Sequence, residues 1–233
     1  MTSLSRPKKT LGVLGGMGPA ASAEFLAILA RDTPAERDQD HPRVLMISDP
    51  SIPDRTEALL GTGEDPTPFL RKELERLVDM GANLLAVPCN TAHCFIDRFR
   101  EALTVPLVHI VEATLDSARR RSPKGAWLLS TSGTRKSNIY PEYASRVGYE
   151  FFHPADGQQE RIQESLTLVK AGKMSEAGRV LREVIEELRR ERDTLIVTAC
   201  TELPLAYAAS GLPREKEVSS LQALSDACLR RLF

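Results

Sequence analysis

The sequence contains no apolar run approaching the ~18 residues that a membrane-spanning helix needs. Its first ten residues, "MTSLSRPKKT", are polar and basic and lack the apolar core of a signal peptide. The 31 basic and 32 acidic residues nearly balance, and no basic stripe or tail suggests nucleic-acid binding. These absences predict a soluble, cytoplasmic protein with neither a nucleic-acid nor a membrane partner.

Recognisable metal-site spacings are also absent. Cys89, His93 and Cys94 lie close together, but no CxxC or HxxxH pair occurs, and zinc sites usually need more ligands at regular spacing. A metal site is therefore not predicted. The chain has four cysteines and no export signal, so we expect them to be reduced rather than paired in disulfides.

Apolar strand patterns alternate with amphipathic helical patterns along the whole chain. This alternation is typical of an α/β fold in which helices cover a mostly parallel sheet. Strands are predicted at 10–16, 43–48, 84–88 and 193–200, and at 125–134, where the strand breaks into small polar residues and glycine. Helices are predicted at 20–31, 68–80, 92–103, 157–171, 173–192 and 218–232.

The second half of the sequence repeats the order of the first. "LLAVPCNT" and "LIVTACTE" are both aliphatic strands that end at a cysteine, Cys89 or Cys200, and Gly18 corresponds in the same way to Gly133. We interpret the repeat as a duplication that produced two similar Rossmann-like lobes, each a mostly parallel sheet flanked by helices, related by a pseudo-twofold axis. The predicted first lobe comprises residues 1–108 and 213–233, and the second comprises 109–212.

The repeat also bears on what the cysteines do. Ligands of open parallel sheets bind beyond the carboxyl ends of the strands, so two facing lobes would bring Cys89 and Cys200 to one cleft. A cysteine after an aliphatic strand is often only a packing residue, but the same placement at two matched positions favours chemistry. Cys94 and Cys228 fall within helical patterns, where packing is the simpler interpretation. His93 could raise the thiolate fraction of Cys89, or it could cap or pack the following helix.

The glycine loop "GGMGPAA" at 15–21 is open to two interpretations. Gly16-x-Gly18-x-x-Ala21 resembles a weak dinucleotide fingerprint, with Asp38 or Asp40 as the ribose partner. The acidic residue should, however, follow the second strand rather than lie in a polar loop before it. The better interpretation is that the glycines turn the chain and present backbone N–H groups to a small anion at a helix start.

Two basic residues each allow more than one interpretation. Arg55 lies in the strand-end loop "SIPDRT", where its guanidinium could bind a carboxylate through two hydrogen bonds or form a surface salt bridge. Lys170, in "LVKAGK", would by default be a solvated helix end. Neither residue indicates a function by itself.

With these residues in view, the sequence resembles the aspartate/glutamate racemase family, and within it the cofactor-independent aspartate racemases. The resemblance runs in order from Leu11 to Leu205 and rests on eight segments: "LGVLGGMGP", "TPAERDQDHP", "IPDRT", "GTGEDP", "PCNTAH", "STSGT", "VKAGK" and "CTELPL".

The resemblance implies an enzyme, an isomerase that interconverts L- and D-aspartate without pyridoxal phosphate or any other cofactor. In such enzymes two cysteines, here Cys89 and Cys200, remove and return the α-proton from opposite faces. Arg55 and Lys170 match the basic residues that hold the two substrate carboxylates. The remaining implied substrate-binding residues are Met17, Gly18, Asn90, Thr91, Thr131, Gly133, Thr134, Thr201 and Glu202. A homodimer with the site in the cleft between lobes is also implied.

Some residues depart from the family pattern. Ala199 stands before the second cysteine where glycine is frequent, and Ser130 and Ser132 occupy "STSGT" where other small residues are expected. Glu202 stands where glutamate racemases carry histidine. The open alternatives are a racemase of glutamate or of a broader range of amino acids, a non-catalytic module that binds acidic amino acids, and, from the glycine pattern, a nicotinamide-dependent oxidoreductase.

Overall fold

The computed structural model describes residues 7–233, which form two four-stranded, fully parallel sheets flanked by helices. The predicted α/β fold with two similar lobes is confirmed. Along the chain, the strands of the first sheet are β1 (Leu11–Gly15), β2 (Val44–Ser48), β3 (Leu84–Ala86) and β4 (Leu107–Val108). Those of the second sheet are β5 (Ala126–Leu129), β6 (Phe151–Phe152), β7 (Ile196–Thr198) and β8 (Glu217–Ser219).

The two sheets have the same topology. The first runs in the order β2-β1-β3-β4 and the second in the equivalent order β6-β5-β7-β8. The predicted internal repeat is therefore present in three dimensions. The strands that lead to the two cysteines, β3 and β7, occupy the same interior position, each paired with the first strand of its own lobe.

Eleven helices occur among the described residues. They are α1 (Pro19–Asp32), α2 (Arg55–Leu60), α3 (Thr67–Asp79), α4 (His93–Ile96), α5 (Ile110–Arg121), α6 (Ser132–Ser137), α7 (Ile139–Ser145), α8 (Asp156–Lys170), α9 (Met174–Glu191), α10 (Leu203–Ala209) and α11 (Ser220–Leu232). Within the described part of the chain, no helix has the length and apolarity needed to cross a membrane.

Apolar periodicity explains how the helices cover the sheets. On α3, Leu70, Leu74 and Leu77 recur at helical spacing and are fully buried against the first sheet. Burying a leucine side chain stabilises a fold by about 1.5–3 kcal/mol, so this stripe holds α3 in place. The helices α8 and α9 cover the outer face of the second sheet in the same way.

A third hydrophobic cluster lies between the two sheets and contains residues of both lobes. It includes Val13 and Phe25 from the first lobe together with Leu128, Val197 and Leu224 from the second half of the chain. The lobes therefore share an apolar core on one side, and the cleft lies where the strands end.

Two predicted elements differ from the observed ones. The helix predicted at 92–103 is the short α4 followed by a 3-10 turn, Arg100–Ala102, and the break lets Phe95, Ile96 and Phe99 all enter the first-lobe core. The helix predicted at 218–232 begins only at Ser220, because Glu217–Ser219 pairs with β7.

The last strand also corrects one predicted lobe assignment. Residues 213–233 are predicted to belong to the first lobe, but β8 is an edge strand of the second sheet. Helix α11, which follows it, packs against both α1 and α5. The final segment thus contributes a strand to the second lobe and a helix to the boundary between lobes.

Candidate active site

Cys89 and Cys200 line the same cavity, which has a volume of about 220 Å³. Cys89 lies three residues beyond the end of β3, and Cys200 lies two residues beyond the end of β7. Each thiol is nearly buried, with 5% and 6% of the residue exposed. The cavity therefore occupies the edge at which parallel sheets bind ligands, and the two matched cysteines meet there as the repeat predicts.

The sulfur of Cys89 lies in an environment with cationic and N–H donors. Burial raises the pKa of Cys89 and the negative charge of Glu202 adds to the rise, whereas the positive charge of Arg55 and the N–H groups of Ala92 and Arg55 oppose it. Donors and positive charge both stabilise a thiolate. Cys89 is therefore the cysteine of the pair that lies beside a cation.

His93 contacts the backbone of the Cys89 loop. Its Nδ1 lies 2.8 Å from the Cys89 carbonyl oxygen, and its Nε2 accepts a hydrogen bond of 3.4 Å from the Ile110 N–H. Complete burial lowers the pKa of His93 well below its ordinary value, so the ring is neutral and Nδ1 carries the proton. Of the two interpretations of His93, the geometry favours packing and orientation of the loop.

Cys200 lies against a carboxylate instead. Its Sγ donates to Glu202 Oε2 at 3.1 Å, and the Thr201 hydroxyl donates to the same oxygen at 3.2 Å. Burial raises the pKa of Cys200 well above its ordinary value, and the negative charge of Glu202 raises it further. The two thiols thus occupy electrostatically different surroundings.

Arg55 is held by the backbone and presents an unpaired nitrogen. Asp54 caps α2 by accepting from the Thr56 and Glu57 N–H groups, which fixes the helix that begins at Arg55. The Arg55 Nη1 donates to the carbonyls of Ile52 and Pro53, both at 3.1 Å, whereas its Nε is buried without a partner. A buried, unpaired guanidinium N–H on a cavity wall fits an anionic ligand.

The opposite wall comes from one face of α8. Gln163, Leu166 and Lys170 all line the cavity, at the three- and four-residue spacing that aligns side chains on a helix. Lys170 is exposed at the end of α8, so it lies near the entrance. Gln163 is fixed through its Oε1, which accepts hydrogen bonds from the Ser132 N–H at 3.1 Å and from the Ser132 hydroxyl.

A cluster of three threonine hydroxyls joins the lobes beside the cysteines. Thr91 Oγ1 lies 2.8 Å from Thr134 Oγ1 and 3.3 Å from Thr131 Oγ1, and Thr131 caps α6 through its contact with the Thr134 N–H. Thr91 and Thr131 line the cavity, whereas Thr134 supports them from behind.

Asn90 is also held by the second half of the chain. Its Nδ2 donates to Ser220 Oγ at 3.0 Å, and its Oδ1 accepts from the Tyr140 hydroxyl at 2.6 Å. All three residues are buried, so these bonds fix the residue that follows Cys89.

The two matched glycines of the repeat adjoin the cavity without lining it. A Cβ at Gly18 would stand 3.0 Å from Glu202 Oε1, and one at Gly133 would stand 2.8 Å from Thr56 Oγ1. Gly18 and Gly133 thus allow close approach of the chain to Glu202 and α2. Met17, beside Gly18, is buried and does line the cavity.

The other predicted substrate-binding residues on the cavity wall are Asn90, Thr201 and Glu202. Five further residues that line the cavity were not predicted, namely Asp54, Thr56, Glu57, Gln163 and Leu166. The spacing of Gln163 and Leu166 relative to Lys170 is the one sequence signal that could have indicated any of them.

The glycine loop does not fit a dinucleotide. The Gly16 N–H donates to Ser22 Oγ at 3.0 Å, and that hydroxyl donates in turn to the Gly18 carbonyl, so the loop satisfies this amide internally. Gly16 has φ +94° and lies directly against the backbone of Asp49, where a side chain would not fit. Asp38 and Asp40 lie in a 3-10 turn before β2 rather than at its carboxyl end. Among residues 7–233, no group of three or more acidic, histidine or cysteine side chains could hold a metal ion.

Comparison with known proteins agrees with this geometry. The family model described as Asp/Glu/Hydantoin racemase matches residues 14–221. The broad specificity amino-acid racemase RacX of Bacillus subtilis is 28% identical over 197 residues, which cover 83% of this chain and 85% of RacX. The Picrophilus torridus aspartate racemase structure is 29% identical with a TM-score of 0.85, and the match covers 95% of this chain and 93% of that one.

A glutamate racemase of Aquifex aeolicus is 30% identical over 135 residues, which cover 55% of this chain and 50% of that protein. The similarity to this relative therefore extends over only about half of each protein. The family match, in contrast, extends over most of both lobes and includes both cysteine loops. The chain therefore belongs to the Asp/Glu/Hydantoin racemase family.

Proposed function

We propose that this protein is a cofactor-independent racemase that interconverts L- and D-aspartate. The observation that carries the proposal is that Cys89 and Cys200, from equivalent loops of two lobes, line one small cavity together with Arg55. Racemisation needs a base on one face of Cα and an acid on the other, and a thiolate and a thiol meet both requirements. A binding module would need neither thiol.

In the proposed reaction one cysteine thiolate removes the α-proton, and the other cysteine protonates the opposite face of the resulting carbanion. Positioned acid–base groups typically contribute ~10²–10⁴-fold in rate. Stabilisation of the enolate-like carboxylate must supply much of the remainder, and the donors near it are the Arg55 guanidinium and the Thr91 and Thr131 hydroxyls.

Aspartate is the proposed substrate because the cavity offers two cations to a small diacid. The unpaired Arg55 Nε would bind one carboxylate, and Lys170 at the entrance would bind the other. The similarity to the Picrophilus torridus aspartate racemase supports the same choice.

A broader substrate range is the second candidate. Asp54 and Glu57 also line the cavity, and negative charge at the entrance would suit amino acids that do not carry a second carboxylate. The similarity to RacX, a broad specificity racemase, supports this alternative.

The deciding experiment is incubation of the purified protein with L-aspartate in deuterated water without added cofactor. Proton NMR would follow loss of the Cα–H signal, and circular dichroism would follow loss of optical activity. We expect both signals to disappear together, and the same assay with glutamate and neutral amino acids defines the range. Retention of the proton and of chirality with every amino acid would refute the proposal in favour of a binding module.

The family resemblance also supports a homodimer in the cytoplasm. Sedimentation velocity would give the oligomeric state, and fractionation of the source cells would give the location. A monomer at assay concentrations would contradict the first of these proposals without affecting the second.

A further inference from the structure

The two thiols of the cavity have neighbours of opposite charge. Glu202 approaches Cys200 within hydrogen-bond distance, with 3.1 Å between Oε2 and Sγ, and only 6% of Glu202 is exposed. Cys89 lines the same cavity as Arg55, whose positive charge lowers the pKa of the Cys89 thiol against the rise that burial and the negative charge of Glu202 produce. The family's general two-thiol chemistry does not require this difference.

The contact at Cys200 requires a proton between sulfur and oxygen. An ionised carboxylate can only accept hydrogen bonds, so the thiol must be the donor. Two anions at 3.1 Å in a buried site would repel strongly, which disfavours a thiolate on Cys200 while Glu202 is charged.

Cys89 has the reverse arrangement. The positive charge of Arg55 and the Ala92 N–H both favour the ionised form of Cys89, and the negative charge of Glu202 opposes it. No carboxylate oxygen is recorded within hydrogen-bond distance of Cys89 in the described structure, whereas Cys200 has one. A single negative charge shared between the two thiols is therefore stabilised on Cys89.

We propose that Glu202 holds the proton on Cys200, so that Cys89 is the thiol that ionises first and starts the turnover as the thiolate. Glu202 acts through Cys200 and is a positioning residue for that proton. The significance for catalysis rests on the proposed function, but the protonation asymmetry itself can be measured without substrate. The remaining ionisable groups that face the two thiols are Asp54 and Glu57 from the α2 segment, Lys170 from α8, Cys94 from α4 and Tyr140 from α7.

The proposed asymmetry defines the proton balance of one turnover. The Cys89 thiolate takes the α-proton as the Cα–H bond breaks, and Cys200 gives its own proton to the opposite face as the new Cα–H bond forms. The product state then holds a thiolate beside the Glu202 carboxylate. Repulsion there favours return of a proton to Cys200 and loss of one from Cys89, which restores the resting form.

Alkylation of the full-length protein by iodoacetamide, without substrate, tests the proposal because only thiolates react rapidly. Mass spectrometry of peptides would give a separate rate for each cysteine. We expect Cys89 to react faster than Cys200 in the wild type. Replacement of the carboxylate in Glu202→Gln should accelerate Cys200 by at least about tenfold, the change that one pKa unit produces.

Glu164→Gln is the matched control, because Glu164 is an exposed carboxylate on α8 that does not line the cavity. It should leave the alkylation rate of Cys200 unchanged. An unchanged Cys200 rate in Glu202→Gln, or equal acceleration by both variants, would overturn the proposal. Near-ultraviolet circular dichroism would verify that each variant is folded.

A second measurement does not depend on Glu202→Gln being folded. The ultraviolet absorbance of thiolate rises with pH in steps as the cysteines ionise. The first step should be absent in Cys89→Ala and present in Cys200→Ala. Loss of the first step in Cys200→Ala would instead assign the first ionisation to Cys200 and overturn the proposal. If the enzyme racemises amino acids but the two thiols react and ionise alike, only this inference is refuted. If the two thiols differ as proposed but no racemisation occurs, only the proposed function is refuted.

Discussion

Gly133 on α6 lies directly against Thr56 on α2, and a Cβ at Gly133 would stand 2.8 Å from Thr56 Oγ1 and 2.9 Å from Thr56 Cα. The contact joins the second lobe to the helix that begins at Arg55. A residue that does not line the cavity thus sets how closely the two walls approach.

Gly133→Ala should therefore weaken substrate binding without contacting the substrate. The added methyl group must displace α2, and overpacking of this kind typically costs about 1–3 kcal/mol. We expect KM for aspartate to rise about tenfold or more, because Arg55 moves with the helix. Gly157→Ala is the control, since no atom lies within 4 Å of a Cβ at Gly157. It should leave KM unchanged, and equal effects of both variants would contradict this account.

Cys89→Ala and Cys200→Ala should each abolish racemisation, because each removes the acid or base from one face of Cα. A loss of at least ~10²-fold in kcat is expected for each variant. Cys228→Ala provides the control, since Cys228 is completely buried in α11 and away from the cavity. Substantial racemisation by either of the first two variants would exclude the two-thiol mechanism.

Arg55→Ala should affect acidic substrates selectively. Loss of a hydrogen bond to a charged group costs about 1.5–3 kcal/mol, so kcat/KM for aspartate should fall roughly 10- to 150-fold. The fall should be much smaller for a neutral amino acid if Arg55 binds the side-chain carboxylate. Equal losses for both substrates would mean that Arg55 binds only the α-carboxylate or acts through Cys89. Arg55→Lys separates charge from the geometry of the guanidinium.

Tyr140→Phe should impair activity as well as stability. The variant removes the 2.6 Å hydrogen bond to Asn90 Oδ1 and leaves a buried acceptor unsatisfied, which costs about 1–3 kcal/mol. Tyr207→Phe removes a comparable 2.9 Å bond to the Pro213 carbonyl, away from the cavity. Both variants should have a lower midpoint of thermal unfolding. Racemisation rates, measured at temperatures well below that midpoint, should fall only in Tyr140→Phe.

Glu217 predicts a pH dependence of stability. Burial raises the pKa of Glu217 from 4.5 to about 7, although the Thr198 hydroxyl donates to its carboxylate at 2.7 Å. The native state therefore retains a proton that the unfolded state loses, and this contribution to stability is complete below pH 4.5 and disappears as the pH rises through about 7. The predicted loss is on the order of 3 kcal/mol.

Glu217→Gln should remove that part of the pH dependence, which denaturant unfolding at several pH values would measure. The exposed neighbour Glu215 provides the control Glu215→Gln, which should follow the wild-type curve. Parallel curves for the wild type and Glu217→Gln would show that Glu217 does not carry a raised pKa.

The sequence predicts five of the eight strands and the two cysteine loops, because local patterns encode them. An aliphatic run that ends at a cysteine occurs twice, and parallel strands place their carboxyl ends at one edge. Arg55 and Lys170 emerged only through family resemblance, since an arginine in a loop or a lysine at a helix end has no local signature of binding.

Other parts of the site depend on contacts between distant segments and could not be predicted. Glu202 follows Cys200 in sequence, but the Asn90–Tyr140 bond spans 50 residues and the Asn90–Ser220 bond spans 130. The strands β4, β6 and β8 were missed because two or three residues carry too little periodicity to be recognised, and β8 was included in the helix that follows it. The pairing of β8 with β7 is a tertiary effect.

The equivalent order of strands in the two sheets has a thermodynamic consequence for a racemase. Mirror-image amino acids have equal free energies in water, so detailed balance requires equal kcat/KM in the two directions. Two lobes of the same topology can present similar walls to opposite faces, yet Arg55 beside one thiol and Glu202 beside the other make those walls unequal. The difference between the walls cannot change the ratio of kcat/KM for the two enantiomers, but it can change kcat and KM separately. The enantiomer with the lower KM must therefore have the lower kcat in the same proportion.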